Sequence, residues 1–305
     1  MDFKHPKTVG NVIFSAFNYL VLITITVLCV YPFYYVFINS ISANELSAGG
    51  QIMFFPREVH FTNYIQVMRL PGLARAAFVS VSRTVLGTIF PVLTAAFMGY
   101  LFTKNMWGRK FWYRFVIASM YLSAGLIPYF MVMIRLGFMN NFWVYIVPSM
   151  VQPFSILLVK TFIESTPPSL QESAEIDGAG PIRIFFFIVM PLIKPILATI
   201  AIFAAVGQWN AFMDTVIFVT DSDLWTLQYV LHRYLNAAGA LAQLLRGAAA
   251  AGVNVDVGAI MAANPQTPTS VRMTITMVVT LPILFVYPFF QKYFVKGMMI
   301  GAVKG

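Results

Sequence analysis

Three carboxylates, Glu172, Glu175 and Asp177, fall within six positions of a 305-residue chain that is 59% hydrophobic and only 10% charged. Acids at that spacing can start a helix, complement its dipole and give it a polar face to present to a partner. Two other ionisable side chains, Arg83 and Asp214, stand inside apolar runs. Charge at membrane depth is costly, so each is weighed as a lining group of a translocation path or as a residue tolerated near the outer interface. Other chemistry is sparse. His5, His60 and His232 are scattered singly, and Cys29 is the sole cysteine, so neither a metal site nor a disulfide framework is expected. H-E-x-x-H, G-x-S-x-G and G-x-x-x-x-G-K-[ST] are all absent, so no catalytic residue is assigned and no ATP site is expected in this chain.

The elements that position these residues follow from composition. A soluble domain carries about 25% charged residues, and a mean hydropathy of +0.77 at 10% charge makes lipid the main solvent. Apolar segments of roughly 20 residues, enough to cross about 30 Å of hydrocarbon, lie near 12–38, 76–102, 112–134, 142–162, 192–219 and 271–290. The expected fold is an all-α membrane protein of six transmembrane helices forming one membrane domain spanning 1–305. The first apolar run is far longer than the core of a signal peptide and is expected to stay attached as a helix.

Charge placement sets the orientation. With the N-terminus inside, Lys4, Lys7, Lys104, Lys110, Lys160, Lys194, Lys292, Lys296 and Lys304 all fall on the inner side, whereas the outer segments carry arginines nearly balanced by acids. This favours N-in and C-in. The net charge of +9 thus records topology and is not read as a nucleic-acid surface. Aromatic clusters at 31–37 and 107–115 read as interfacial belts. Two outer segments, 39–75 and 220–270, are long enough for structure of their own. The second contains a Leu-, Ala- and Arg-rich stretch that favours helix and is a candidate contact for something outside.

The acidic stretch lies in the inner segment 164–191. Ser169 and Glu172 have capping-box spacing, with Glu172 at the third helical position. Gly178 suits the left-handed residue that ends a helix, and Pro181 suits the first turn of the next. The expectation is a short helix, a glycine elbow and a long helix. By 3.6-residue periodicity Leu170, Ser173, Ala174 and Asp177 share one side, and Gln171, Glu172, Glu175 and Ile176 the other. Interfacial helices are typically basic on the polar face, and anionic lipid repels acid. A cytoplasmic protein partner is therefore favoured.

The pattern E-A-A, three residues, G, nine residues, I-x-L-P is present here as Glu172-Ser173-Ala174, Gly178 and Ile188-Val189-Met190-Pro191. It resembles the signature loop of permease subunits in binding-protein-dependent ABC importers, with Ser173 and Met190 as the two departures. The "DGAG" at 177–180 and the terminal "KGMMIGAVKG" further resemble the carbohydrate-uptake branch, in the subunit similar to the smaller permease of the maltose transporter. The resemblance implies a coupling helix between the fourth and fifth spans that docks in a cleft of an ATPase. Glu172, Ser173, Ala174, Glu175, Asp177 and Gly178 would form that coupling surface, with Gly301 and Gly305 as tail candidates. It also implies a second permease subunit in a heterodimer, two ATP-binding subunits carrying ATP and Mg, an external solute-binding protein, and a place in the lipid of the bacterial cytoplasmic (inner) membrane. The cargo expected from the resemblance is a carbohydrate, and an oligosaccharide suits the long outer loop. An outer surface with arginines and no lysines allows an acidic oligomer of the alginate type, with Arg83 facing the path. The rival reading is a self-contained secondary transporter of a small solute. Such proteins use ionisable groups at the bilayer midplane, for which Asp214 is the sole acidic candidate.

Overall fold

The computed structural model describes residues 9–250, 267 and 269–284. Every regular element among them is helical, in line with a chain whose backbone must satisfy its own hydrogen bonds in lipid. The chain divides into two units, Met1–Arg69 with Tyr234–Val278, and Leu70–Arg233 with Val279–Gly305.

In the first unit α1 (Val9–Ser40) is a 32-residue apolar helix buried only at Ile38, Asn39 and Ser40. Its C-terminal end is tied off by side chains. Asn63 Nδ2 donates to Ser40 O at 3.2 Å, and Asn39 receives Ser47 Oγ at 2.9 Å. These bonds satisfy groups that a helix end otherwise leaves open, and they fix α2 (Asn44–Ala48) and α3 (Thr62–Met68). The segment 39–75 thus has structure of its own.

In the second unit α4 (Leu73–Leu101) is the central helix. One end packs Ala95, Ala96 and Tyr100 against Ile156 and Val159 of α7 (Pro153–Glu164) and against Ile193, Leu197 and Ile200. The other end packs Val79 against Met133, Tyr145 and Phe218. Lipid offers no hydrophobic drive between helices, so close approach has to come from small residues. A Cβ on Gly99 would stand 2.7 Å from Val159 Cγ1, and one on Gly87 2.7 Å from Gln208 Cδ.

Three of the expected continuous spans are broken. The segment 112–134 is not one helix but two, α5 (Arg109–Ser119) and α6 (Leu126–Arg135), parted before Gly125, whose φ is +77°. The segment 142–162 opens in 3-10 turns, Phe142–Tyr145 and Val147–Ser149, and bends by 44° into α7. Pro148 and Pro153 lack the amide donors that a continuous α-helix needs there. The segment 192–219 is preceded by α8 (Ser169–Ile176), α9 (Pro181–Ile184), a π-turn at Phe185–Val189 and α10 (Met190–Leu192). It then bends by 77° into α11 (Lys194–Asn210), between Pro191 and Pro195, and breaks again before α12 (Met213–Phe218). Among the described residues α1 and α4 are each long and apolar enough to cross a bilayer, and the two bent pairs reach that length together. The Leu- and Ala-rich stretch is helical, as α13 (Leu227–Ala250). A last helix, α14 (Thr269–Leu284), covers the start of the expected sixth segment; residues 285–290 and the tail glycines Gly301 and Gly305 lie outside the described residues.

Candidate functional site: an acidic helix, its elbow and a paired charge

Helix α8 begins one residue earlier than the capping-box reading places it. Pro168 is its cap residue, and Pro168 O accepts from the amides of Gln171 at 3.0 Å and Glu172 at 3.1 Å. Ser169 is therefore already helical and makes no side-chain cap, and Glu172 is the fourth helical residue rather than the third. The reason is local, because the two prolines at 167 and 168 hold φ near its helical value and let the turn start on them.

The other end is as expected. Gly178 has φ +81°, the amide of Gly178 donates to Glu175 O at 3.1 Å, and that of Ala179 donates to Ala174 O at 2.9 Å. These are the two bonds of a Schellman ending. Gly180 then extends and Pro181 opens α9. No atom lies within 4 Å of a Cβ built on Gly178, so its requirement for glycine is one of backbone conformation.

The faces differ from the periodic reading. Gln171 and Ala174 are half-buried, whereas Leu170, Ser173 and Asp177 are exposed with Glu172 and Ile176. Ala174 and Ala179 pack on the core at the end of α4, since the elbow folds the chain back on itself. Two bonds tie the elbow there: Lys104 Nζ meets Glu175 Oε1 at 2.7 Å, and Tyr100 Oη donates to Pro181 O at 3.1 Å. Sequence reasoning had Lys104 only as an orientation marker and missed Tyr100 altogether, since both act across more than 70 residues. The three acids thus divide their work. Glu175, itself exposed, is tied to Lys104, and Glu172 and Asp177 make no ion pair among the described residues. They remain exposed beside Ile176, which is 85% exposed.

Arg83 and Asp214, read singly from the sequence, form one ion pair. Arg83 is 2% exposed, and its guanidinium also donates to Gln208 Oε1 at 2.9 Å and to Ala211 O at 3.0 Å, over the Tyr145 ring at 4.5 Å. Ala211 O is free for this because the backbone extends at Ala211, between α11 and α12. Gln208 in turn donates to Ser149 Oγ at 2.9 Å, and Tyr145 Oη donates to Leu224 O at 2.8 Å. A buried arginine needs such saturation, since every unpaired donor in a medium of low dielectric is costly. Asp214 is 35% exposed, and the pair borders a cavity of about 440 Å³ whose lining also includes Gln152, Ser155, Thr199 and Gln208 together with Phe154 and Phe203. Gln208 and Tyr145 carried no signal in the sequence. A glutamine in an apolar run was the available cue, and Gly87, which makes room for it, is four residues from Arg83.

An all-helical membrane component with broken helices and an exposed acidic helix turned on a glycine is a transport permease by its parts. Residues 9–300 match the binding-protein-dependent transport system inner membrane component family, and the chain belongs to that family. It is 31% identical to the polygalacturonan/rhamnogalacturonan transport system permease protein YtcP of Bacillus subtilis (strain 168), over 97% of this chain and 99% of that one. To protein LplC of the same strain it is 34% identical, over 99% and 98%. A solved bacterial ABC transporter involved in the import of the acidic polysaccharide alginate shares its fold, with a TM-score of 0.82 over 95% of this chain and 100% of that one at 24% identity.

Proposed function

We propose that this chain is one half of the permease pair of an ATP-driven ABC importer that takes up an oligosaccharide delivered by an external solute-binding protein. The observation that carries the reading is α8 with its Gly178 elbow. Its inner face is fastened to α4 and its outer face displays unpaired acid, a shape suited to pass motion between a cytoplasmic ATPase and the helices. Glu172, Ser173 and Asp177 meet the ATPase, Ala174 and Glu175 hold the helix to the permease, and Gly178 sets the angle. ATP and Mg are bound and consumed on two partner ATPase chains. Six spans near 12–38, 76–102, 112–134, 142–162, 192–219 and 271–290 cross the bacterial inner membrane with both termini inside, and 220–270 faces the binding protein.

Cargo chemistry is read from the cavity and from the relatives. Amides, hydroxyls and two phenylalanines in one lining suit a sugar, whose hydroxyls need partners and whose ring faces are apolar. A polygalacturonan and the acidic polysaccharide alginate stand in the names of similar proteins, which supports an acidic oligomer. Arg83 contributes to the path as the buried anchor of this wall rather than as a free fork, and half-buried Asp214, Gln152 and Thr199 present its more accessible polar side chains. The test is purification in mild detergent with this chain as bait. Recovery of a P-loop ATPase and a second permease, both lost when Glu172→Ala is combined with Gly178→Pro, is expected. A chain recovered alone that moves solute in liposomes without ATP would return the secondary-transporter reading.

A further inference from the structure

We propose that the outer loop at Met53–Phe55 is a membrane wedge that lies in the outer-leaflet interface against α1, with lipid as its partner. Three apolar side chains in a row are exposed here, Phe55 to 77%. Exposure alone would carry nothing, but two successive carbonyls of the loop are satisfied from within the protein. Tyr31 Oη donates to Met53 O at 3.1 Å and Tyr34 Oη donates to Phe54 O at 2.7 Å. Carbonyls that face water need no such partners, whereas those entering the bilayer must be satisfied from within the protein. Both tyrosines belong to α1, and Tyr34 lies about 9 Å along the helix axis from Ser40. The loop therefore folds back along the helix instead of projecting from its end.

Its surroundings favour lipid over a protein occupant. The most apolar 18-residue stretch of α1 has no residue buried within this chain, so the wedge continues an exposed apolar helix. The Phe54 ring sits 6.1 Å from that of Tyr31 and adds to an aromatic cluster of the kind found at headgroup level. The charges are placed to match. Arg57 and Glu58 follow after Pro56, and Arg57 is fastened at the helix end, its amide to Ser42 Oγ at 3.2 Å and its carbonyl to the amide of Ala43 at 3.1 Å. Ile52, fully buried, pins the near side. The order along the chain is thus a buried pin, an apolar wedge and a charged exit. The wedge would fix the depth of the outer end of α1, and this rests on the reading that α1 spans with that end outside.

Nitroxide labels report depth directly. In a Cys29→Ser background, Phe55→Cys, Leu22→Cys and Glu58→Cys are labelled separately in the assembled transporter in nanodiscs, and collision with oxygen is compared with collision with a water-soluble nickel chelate. Expected is an oxygen-to-nickel ratio at Phe55 shifted from that at Glu58 toward that at Leu22. Tyr31→Phe combined with Tyr34→Phe should move it back toward the Glu58 value. A Phe55 ratio equal to that of Glu58, with Leu22 still protected from nickel, overturns the wedge and leaves the span intact. Low collision with both reagents at Phe55 overturns it in favour of a protein cover. Nickel access at Leu22 itself would instead overturn the span on which the proposal rests.

Discussion

Replacing Arg83 with leucine tests whether the buried pair holds the elbow between α11 and α12. The substitution removes hydrogen bonds to Gln208 Oε1 and Ala211 O, the ion pair to Asp214 and the contact with Tyr145. Breaking a buried pair in a soluble protein costs about 3–5 kcal/mol, whereas single interhelical polar contacts in membranes average about 0.6 and reach about 1.7 kcal/mol. Asp214 is 35% exposed to the cavity, which screens its share. We expect a loss of about 2–3 kcal/mol for Arg83→Leu, about 1 kcal/mol for Asp214→Asn, and a coupling between them of about 1.5 kcal/mol, roughly tenfold in an equilibrium constant. The assay is equilibrium unfolding of the purified chain in mixed micelles titrated with SDS, run on wild type, both single variants and the double variant. Effects that add to within about 0.5 kcal/mol would mean no coupling and would refute the argument that the pair is one structural unit. If the double variant regains stability yet transports nothing, the pair also acts in the path.

Other consequences are open to direct measurement. Gly178→Ala forces a side chain to φ +81° at a conformational cost of about 1–2 kcal/mol, with no clash to relieve; coupled ATP hydrolysis should fall while the helices stay folded by circular dichroism. Lys104→Ala should change stability by only about 0.2–1 kcal/mol, because the pair with Glu175 is exposed. It should nonetheless lower transport per ATP hydrolysed, and an unchanged ratio would remove the tether from the mechanism. Gly99→Ala sets a Cβ 2.7 Å from Val159 Cγ1 and should cost about 1–3 kcal/mol in SDS unfolding, with partial rescue by Val159→Ala. Deleting 238–250 should abolish stimulation of ATP hydrolysis by sugar-loaded binding protein and spare the basal rate; intact stimulation would remove α13 from that contact.

Those outcomes separate what is encoded locally from what is not. The apolar runs, the helical outer stretch and the elbow at Gly178 were legible in the sequence, because each follows from residues within one or two turns of each other. Low charge decides the solvent, a left-handed glycine ends a helix, and a proline restarts one. Even here a neighbour could override, as Pro168 did when it displaced Ser169 as the cap. The breaks at 120–125, 193 and 211 carried weaker marks, since proline and glycine are tolerated inside membrane helices when other elements satisfy the freed groups.

Partnership belonged to the tertiary structure alone. Arg83 and Asp214 are 131 residues apart, and nothing in their flanking sequence says that one neutralises the other or that Gln208 and Ala211 complete the cage. Lys104 and Glu175 are 71 apart, and Tyr100 and Pro181 are 81 apart. Hydropathy and periodicity are properties of one helix, whereas an ion pair or a capped carbonyl depends on which helices meet and at what distance. The sequence by itself determined that this chain lives in lipid and carries an acidic elbow. Packing around α4 decided which acid is tied to a lysine, which are left without an ion pair among the described residues, and where a buried positive charge finds its counter-charge.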